Sequence, residues 1–387
     1  MQIIPRLLLT LSAIPLLIHT GVAQEKETSY LSIKSELVRA IERGNSYLKK
    51  QQTEAGHWGD SKYPALTALA LTSALRSPSY QPDPAIDKGY QWLISQQKRD
   101  GGIYSQGLGT YNTATSITAL VASEETSFHP IILRARNYLI RQQTDWETKG
   151  ETDTKFDGGI GYGGSYEHSD MSNTHLSIEA LKLSQHIAKD GLKENVPDLN
   201  WEAAIEFISR TQNLQKTNDQ PDIGNDGSFV YFPGNSKAGH TENADGSTSL
   251  RGYGSMSYAG LLSMIYADLD ASDPRVTAVT DWLNNHFTVT ENPGLATKEN
   301  PDLGQQGLYY YYHAMAKALA AADIHTLTDK NGKQSNWRNE LANQLLKNQR
   351  EDGSWINANN RWWEGDPTLV TAYAVLTLEQ IYDSIFE

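Results

Sequence analysis

The sequence of 387 residues contains no cysteine. This absence excludes disulfides, thiolate nucleophiles and zinc sites built on cysteine. Positive charge is also scarce, because 33 lysines and arginines stand against 46 aspartates and glutamates, which gives a formal net charge of −13 at pH 7. Too few cations are left to neutralise phosphates, so the composition disfavours nucleic acid and an unaided anionic membrane surface as partners.

Long apolar runs are lacking except at the N-terminus, where residues 1–23 have the pattern of a secretory signal peptide. Arg6 provides the positive charge, residues 7–18 form the apolar run, and Val22 and Ala23 are small residues before a cleavage site at Gln24. The run is too short to span a bilayer. We therefore predict export to the periplasm or the extracellular space, no stable membrane insertion, and one domain over residues 24–387.

One pattern recurs six times along the chain. An amphipathic segment ends in an aromatic or apolar pair and a glutamine, a glycine turn with an aromatic follows, and a segment rich in Ala, Ser, Thr and Leu comes next. The best copy contains Gln349 and the sequence Asp-Gly-Ser-Trp at 352–355, and the copy that begins at Trp282 is degenerate. We interpret Gln51, Gln96, Gln142, Gln349, Trp58 and Trp355 as structural, since glutamine amides can bond unpaired backbone groups at a helix end.

The two segments of each copy differ in kind. The first has charge on one face only, as in 34–52 and 130–143, and is typical of a surface helix. The second consists mostly of small, uncharged residues, as in 64–75 and 314–322, and is typical of a helix buried on most sides. One exposed and one buried helix per copy predict an all-α fold with two concentric layers.

The glutamine and Asp-Gly-Ser-aromatic signature resembles the QW repeat of squalene–hopene and oxidosqualene cyclases, and the helix pairs are similar to those of protein prenyltransferase β-subunits. The resemblance covers residues 34–386 and implies a single α6/α6 toroid, in which six inner helices surround a central cavity. The catalytic motifs of the family are missing: neither the Asp-x-Asp-Asp acid nor Asp-Cys-Thr-Ala-Glu occurs, and no cysteine could hold a prenyltransferase zinc ion. The resemblance therefore delivers a fold and no activity.

Three long loops, 144–170, 213–254 and 288–306, each lead into a buried helix. We expect these loops and the inner-helix N-termini to form the mouth of the site, because long loops in compact domains are often functional. The catalytic candidates there are Asp170, His175, His313 and Asp366. The ligand-binding candidates are His168, Tyr253, Tyr258, Tyr311, Tyr312, Trp362, Trp363 and Glu364. For Asp170 and Asp366 taken singly, a helix N-cap is the simpler interpretation.

Two other chemistries are compatible with these residue types. His168, Asp170, His175 and His313 could hold a metal ion, but the two histidines of 168–175 lack the i, i+4 spacing that fixes two ligands on one helix face. Glu364 and Asp366 with Asp170 could provide a carboxylate pair for sugar chemistry. We predict neither a metal nor a cofactor.

The leading hypothesis is a protein that binds, and could convert, an apolar or isoprenoid-type small molecule in an aromatic-lined central cavity. The first alternative is a lyase or hydrolase acting on polysaccharide, with Asp170, His175, Tyr258 and His313 as acid and base groups. The second alternative is a scaffold without catalysis that binds another protein. A cavity lined by rings favours the first hypothesis, an open groove with two carboxylates favours the next, and a filled centre favours the last.

Overall fold

The computed structural model describes residues 18–163, 168–191, 197–221, 223–243 and 246–386. The chain is mostly helical in these ranges, as the sequence predicted. The helices are α1 (Ile18–Gln51), α2 (Pro64–Arg76), α3 (Pro84–Ser95), α4 (Gly109–Ala122), α5 (His129–Ile140), α6 (Met171–Leu183), α7 (Gln185–Gly191), α8 (Trp201–Arg210), α9 (Gly254–Tyr266), α10 (Pro274–His286), α11 (Leu308–Ala321), α12 (Trp337–Asn348) and α13 (Pro367–Phe386).

Strand structure within the described residues is limited to two small antiparallel hairpins. Strand β1 (His240–Glu242) pairs with β2 (Thr248–Leu250), and β3 (Leu327–Thr328) pairs with β4 (Gln334–Ser335). Both hairpins lie in connections between helices. Residues 1–17 of the predicted signal peptide lie outside the described residues, and α1 begins at Ile18, within that predicted segment.

Six helices are buried along most of their length and form what we call the inner set: α2, α4, α6, α9, α11 and α13. Their small side chains allow close approach on several sides at once. Contacts run from α2 to α4, α6, α9, α11 and α13 in turn, and α13 contacts α2 again. The contacts of the inner set therefore form a closed cycle.

The outer helices α1, α3, α5, α8, α10 and α12 cover this cycle with one apolar face each. Capping side chains start several of them: Asp83 accepts from the N–H of Ala85 before α3, and Asn200 accepts from that of Ala203 before α8. Trp58 and Trp355 are buried after the first and last outer helices, and each indole N–H donates to a carbonyl ten residues earlier, at Leu48 and Leu345. These two tryptophans have the structural role that the sequence predicted.

Most outer helices are joined to the next outer helix by a glutamine side chain. The Nε2 of Gln52 donates to the carbonyl of Gly56 in its own turn, at 2.9 Å, and to that of Ala85 at the start of α3, at 2.8 Å. We call this pair of bonds the glutamine clamp. In the described part of the chain it is also made by Gln97, Gln143, Gln212 and Gln349. In the first three glutamine pairs the clamp is the second glutamine, and not Gln51, Gln96 or Gln142 as predicted.

The glycine of each turn is required by both conformation and space. Gly353 has φ +91°, and a Cβ there would overlap the carbonyl oxygen of Arg43 on α1. Only glycine adopts this backbone at little cost and lets the turn lie directly on the neighbouring helix. The clamp and the glycine thus act together at the same contact.

The clamp also joins the last outer helix to the first. Gln349 donates to the carbonyl of Ala40, which lies 309 positions earlier in the sequence. Between α10 and α12 no such clamp occurs among the described residues, and Gln305 donates to Thr290 within its own loop instead. There the β3–β4 hairpin contacts α10, with the N–H of Thr328 bonded to Asn284.

None of the helices in the described residues is both long enough and apolar enough to cross a membrane.

Candidate functional site

A cavity of about 540 Å³ lies within the cycle of inner helices, and every helix of the inner set contributes to its lining. Four tyrosines come from four different helices: Tyr111, Tyr266, Tyr310 and Tyr373. The remaining lining is Leu69, Thr72, Arg76, Thr115, Thr118, His175, Leu176, Glu179, Leu183, His313, Ala314, Lys317, Ala320, Ala321, Asp323, His325, Arg338, Leu376, Gln380 and Ser384. The cavity is therefore central and mixed in character, with rings, aliphatic carbons and charged groups.

The cavity opens at the C-terminal ends of the inner helices. Arg76, Leu183, Tyr266 and Ala321 line it, and each is the last residue of its helix. The lining residues that solvent reaches most freely, such as Leu183, Asp323 and His325, lie at this same end. We expected the mouth at the N-terminal ends, and that expectation was wrong for this cavity.

The long loops explain the difference, because their backbone carbonyls accept hydrogen bonds from N–H groups at the N-terminal ends of inner helices. Backbone carbonyls of the three loops accept from the first N–H groups of inner helices: Tyr162 from Thr110, Tyr231 from Met171, and Pro293 from Gly254. Each long loop therefore folds over the start of the inner helix that precedes it. The N–H groups we expected to face a ligand are used by the protein.

An ion pair crosses the cavity wall between α6 and α11. The Nζ of Lys317 donates to both carboxylate oxygens of Glu179, at 2.8 and 2.6 Å, and both side chains are nearly excluded from solvent. Burial raises the pKa of Glu179, but the charge of Lys317 and then that of His175 lower it further, so the net pKa is below the usual range. Glu179 is therefore a carboxylate at neutral pH, and Lys317 compensates its charge.

Two predicted histidines lie in the cavity wall beside this ion pair. His175 lies one turn before Glu179, its Nδ1 is 3.2 Å from the hydroxyl of Ser263, and its Nε2 is 4.0 Å from Glu179. Burial, followed by the charge of Lys317, lowers the pKa of His175 to about 4. The same two causes lower the pKa of His313 well below its usual value. Both imidazoles are neutral at physiological pH.

Tyrosines close the inner end of the cavity. The hydroxyls of Tyr111 and Tyr373 lie 2.9 Å apart, on α4 and α13. The ring of Tyr373 lies between those of Tyr310 and His313, with centroid distances of 6.0 and 5.7 Å. The hydroxyl of Tyr310 and the Nδ1 of His313 are buried without a hydrogen-bond partner. This layer separates the cavity from the N-terminal side of the ring.

The predicted carboxylic acids lie outside the cavity and bind helix N-termini. Asp170 is the N-cap of α6 and accepts from the N–H and the side-chain amide of Asn173, at 2.9 and 2.8 Å. Asp366 precedes α13 and accepts from the N–H of Thr368 at 2.8 Å. For both residues the N-cap interpretation accounts for the observed bonds.

Glu364 has the same kind of role at α11. Its carboxylate accepts from the N–H groups of Tyr309 and Tyr310 and from the amide of Asn357, at 3.2, 2.8 and 2.7 Å. Burial raises the pKa of Glu364 to about 7, and burial raises that of Asp170 to about 7 as well, although hydrogen bonds to both carboxyls act in the opposite direction. These carboxyl groups stabilise helix starts and do not face the cavity.

The other aromatic candidates also lie outside the cavity lining. Tyr253 and Tyr258 are buried, and the hydroxyl of Tyr258 has no hydrogen-bond partner. Tyr311 and Tyr312 donate to the carbonyls of Thr288 and Val289. His168 stacks on Phe232, Trp363 packs on Tyr63, and Trp362 and Trp363 are exposed. Of the twelve predicted site residues, the structure brings His175 and His313 into the cavity.

Sequence reasoning missed most of the lining, above all Glu179 and Lys317. A signal was present, because Lys317 is the lone charge on α11 and Glu179 is the lone acidic residue of α6, whose other charge, Lys182, lies in the last turn. His175 and Glu179 are four residues apart, and Tyr310, His313 and Lys317 follow at spacings of three and four, so each set lies on one helix face. The metal hypothesis gains nothing here, since no group of three or more potential ligands lies together in the described ranges.

No family model matches the sequence. A probable squalene–hopene cyclase from Sinorhizobium fredii is 30% identical over an alignment of 138 residues, which covers 30% of this chain and 21% of that protein. The chain thus matches about a fifth of the length of this curated relative.

Solved structures extend the similarity to most of the chain. The type II terpene cyclase MstE from Scytonema, in complex with its substrate geranylgeranyl dihydroxybenzoate, matches with a TM-score of 0.57 at 12% identity, covering 92% of this chain and 99% of the cyclase. The same cyclase in complex with its product, merosterolic acid A, gives 0.57 at 13% identity with the same coverage. The fold is therefore that of the terpenoid cyclases, and the resemblance predicted from the sequence is confirmed.

Proposed function

We propose that this protein is an exported α6/α6 toroid that binds an isoprenoid-type small molecule in its central cavity. The six helix pairs of the sequence pattern would form the two layers, with the inner set around the ligand. The observation that carries the proposal is the cavity itself. Its volume of about 540 Å³ lies in the range of about 300–1,000 Å³ that is common for small-molecule sites.

The composition of the lining supports an apolar ligand with some polar character. Leu69, Leu176, Ala314 and Leu376 offer aliphatic surface, and the four tyrosines offer rings against which a branched hydrocarbon chain can pack. MstE, which has the same fold, binds a geranylgeranyl chain joined to a dihydroxybenzoate group. A ligand of this general type, with a long isoprenoid chain, suits the cavity.

The proposal is for binding, and we assign no chemical step. The residues we expected to act as acids, Asp170 and Asp366, cap helices outside the cavity. Within the cavity, Glu179 is ionised and paired with Lys317, and both histidines are neutral. A cyclisation that starts by protonating an alkene would need a protonated acid facing the ligand.

Native mass spectrometry of the protein purified from its own source tests the proposal. We expect a bound isoprenoid in the wild type and in Leu346→Trp, and none in Leu176→Trp, because the larger side chain would occupy the cavity. Leu346 is the matched control, since it is also a partly buried leucine but lies on outer helix α12 away from the cavity.

Each outcome of this experiment is informative. An empty wild-type protein that also fails to take up added isoprenoids would contradict the proposal, and so would a bound sugar. The same spectra give the mass of the chain, and we expect it to begin at Gln24 if residues 1–23 are removed on export. A mass that includes residues 1–23 would contradict the export part of the proposal alone.

A further inference from the structure

The inner helix α11 presents a polar stripe to the cavity. Tyr310, His313 and Lys317 follow at spacings of three and four residues, and all of them line the cavity. Ala314 and Ala321 flank the stripe, and the ring of Tyr373 packs against Tyr310 and His313. A wholly hydrocarbon ligand would leave this stripe without polar contacts.

The stripe has hydrogen-bonding capacity that the protein does not use. The hydroxyl of Tyr310 and the Nδ1 of His313 are buried without a partner. Lys317 donates two of its three N–H groups to Glu179, at 2.8 and 2.6 Å. Buried polar groups in proteins are nearly always paired, so groups left unpaired beside a cavity indicate that a ligand atom completes them.

Two of the three lysine and arginine side chains in the lining form ion pairs, and the third, Arg338, donates to the hydroxyl of Ser384 and packs on the ring of Trp337. Glu179 compensates Lys317, and Arg76 at the mouth is paired with Asp383 at 2.9 Å and bonded to Gln380. A carboxylate or phosphate on the ligand would therefore meet no uncompensated cation at these two positions, and would compete with Glu179 for Lys317. A neutral oxygen can accept from Lys317 and Tyr310 without disturbing the ion pair.

We infer that the ligand carries a neutral oxygen function, a hydroxyl or a carbonyl, which binds between Tyr310, His313 and Lys317 while the isoprenoid chain fills the rest of the cavity. This inference rests on the proposed function and specifies its ligand class. It assigns Tyr310 and His313 as residues that determine specificity.

Binding of three isoprenoids with the same C15 skeleton tests the inference: farnesol, its hydrocarbon analogue farnesene, and farnesyl diphosphate. Their affinities would be measured by titration, with tyrosine and tryptophan fluorescence as the readout. We expect farnesol to bind the wild type about fivefold more tightly than farnesene, as one additional hydrogen bond predicts, and more tightly than the diphosphate.

The variants Tyr310→Phe and His313→Phe remove the unpaired polar atoms and keep the rings. We expect each to bring the affinity for farnesol close to that for farnesene, with the affinity for farnesene unchanged. Tyr258→Phe is the matched control, because it removes an equally buried and unpartnered hydroxyl outside the cavity lining. Neither Tyr310→Phe nor His313→Phe removes a hydrogen bond, so both should fold.

The outcomes separate the two proposals. If no isoprenoid binds the wild type, the proposed function fails. If farnesene binds as tightly as farnesol, if the diphosphate binds most tightly, or if Tyr310→Phe and Tyr258→Phe behave alike, the function stands and the inference is wrong.

Discussion

The two ends of the inner helices use their charged residues in opposite ways. At the N-terminal end, Asp170, Glu364 and Asp366 each accept hydrogen bonds from a helix start, and the long loops supply carbonyls to three further N–H groups. Toward the C-terminal end, Glu179 and Lys317 bond to each other across a cavity. The carboxylates at the N-terminal end accept hydrogen bonds from backbone N–H groups. The carboxylate of Glu179 pairs with a lysine in the wall of a cavity.

It follows that a polar residue at a helix start is weak evidence for a site. The N–H groups of a helix start need acceptors whether or not a ligand binds, and short acidic side chains are the usual acceptors. A charged residue in the interior of a buried helix has no such structural need. Glu179 and Lys317 are therefore stronger indicators of function than Asp170 or Asp366.

The largest expected effect concerns the N-terminal end and its dependence on pH. Burial raises the pKa values of Asp170 and Glu364 to about 7 in the folded protein, against about 4 in the unfolded chain. Their stabilising contribution is thus fully present below about pH 4 and is lost as the pH rises toward 7, by about 1.4 kcal/mol per pH unit for each group.

Urea denaturation between pH 4 and 8 measures this loss. The lowered pKa values of His175 and His313 act in the opposite direction up to about pH 6.5, so the informative quantity is the difference between the wild type and Asp170→Asn/Glu364→Gln. Because the double variant cannot ionise at these two positions, we expect the free energy of unfolding of the wild type to fall relative to that of the variant as the pH rises from 4 to 7. A double variant with the slope of the wild type would show that these two groups do not titrate as described.

The second effect concerns the cavity end. Lys317→Met removes the partner of Glu179 and leaves a buried carboxylate uncompensated, which costs about 3–5 kcal/mol in comparable cases. The double variant Lys317→Met/Glu179→Met removes both charges, so we expect it to regain most of this stability. The free energies of unfolding in urea at pH 7 give the comparison. Equal losses in the single and double variants would contradict the role of the ion pair.

The smallest effect concerns two exposed tryptophans at the N-terminal end. Trp362 and Trp363 have φ values of 55° and 63°, a region that is unfavourable for residues other than glycine. We expect Trp363→Gly to be about 1 kcal/mol more stable than Trp363→Ala, because both lose the contact with Tyr63 and only glycine relieves the backbone. Ligand affinity should not change in either variant, and a loss there would extend the site to this end.

Much of the fold followed from the sequence, because the alternation of charged and small helices is a local signal. Inner helices begin at Pro64 and Pro367, as the pattern predicted, and proline is favoured in a first helical turn. The choice between neighbouring glutamines did not follow, since Gln51 and Gln52 differ only in which side of the helix end they lie on. The structure selects Gln52.

The open end of the cavity could not be predicted from sequence. Long loops are equally compatible with an open mouth and with a lid, and only the contacts of Tyr231 and Pro293 with inner-helix starts show which one applies. The two histidines were recognised by residue type, while Glu179 and Lys317 were overlooked because they lie 138 positions apart in sequence.

The glutamine clamp has a consequence for how the molecule would come apart. Gln349 bonds the last outer helix, α12, to Ala40 on the first, α1, so the outer layer is also closed on itself. The interval between α10 and α12 lacks this clamp among the described residues. Under mechanical force or heating, we expect α10 and α12 to separate before the other neighbouring outer helices, beside the β3–β4 hairpin.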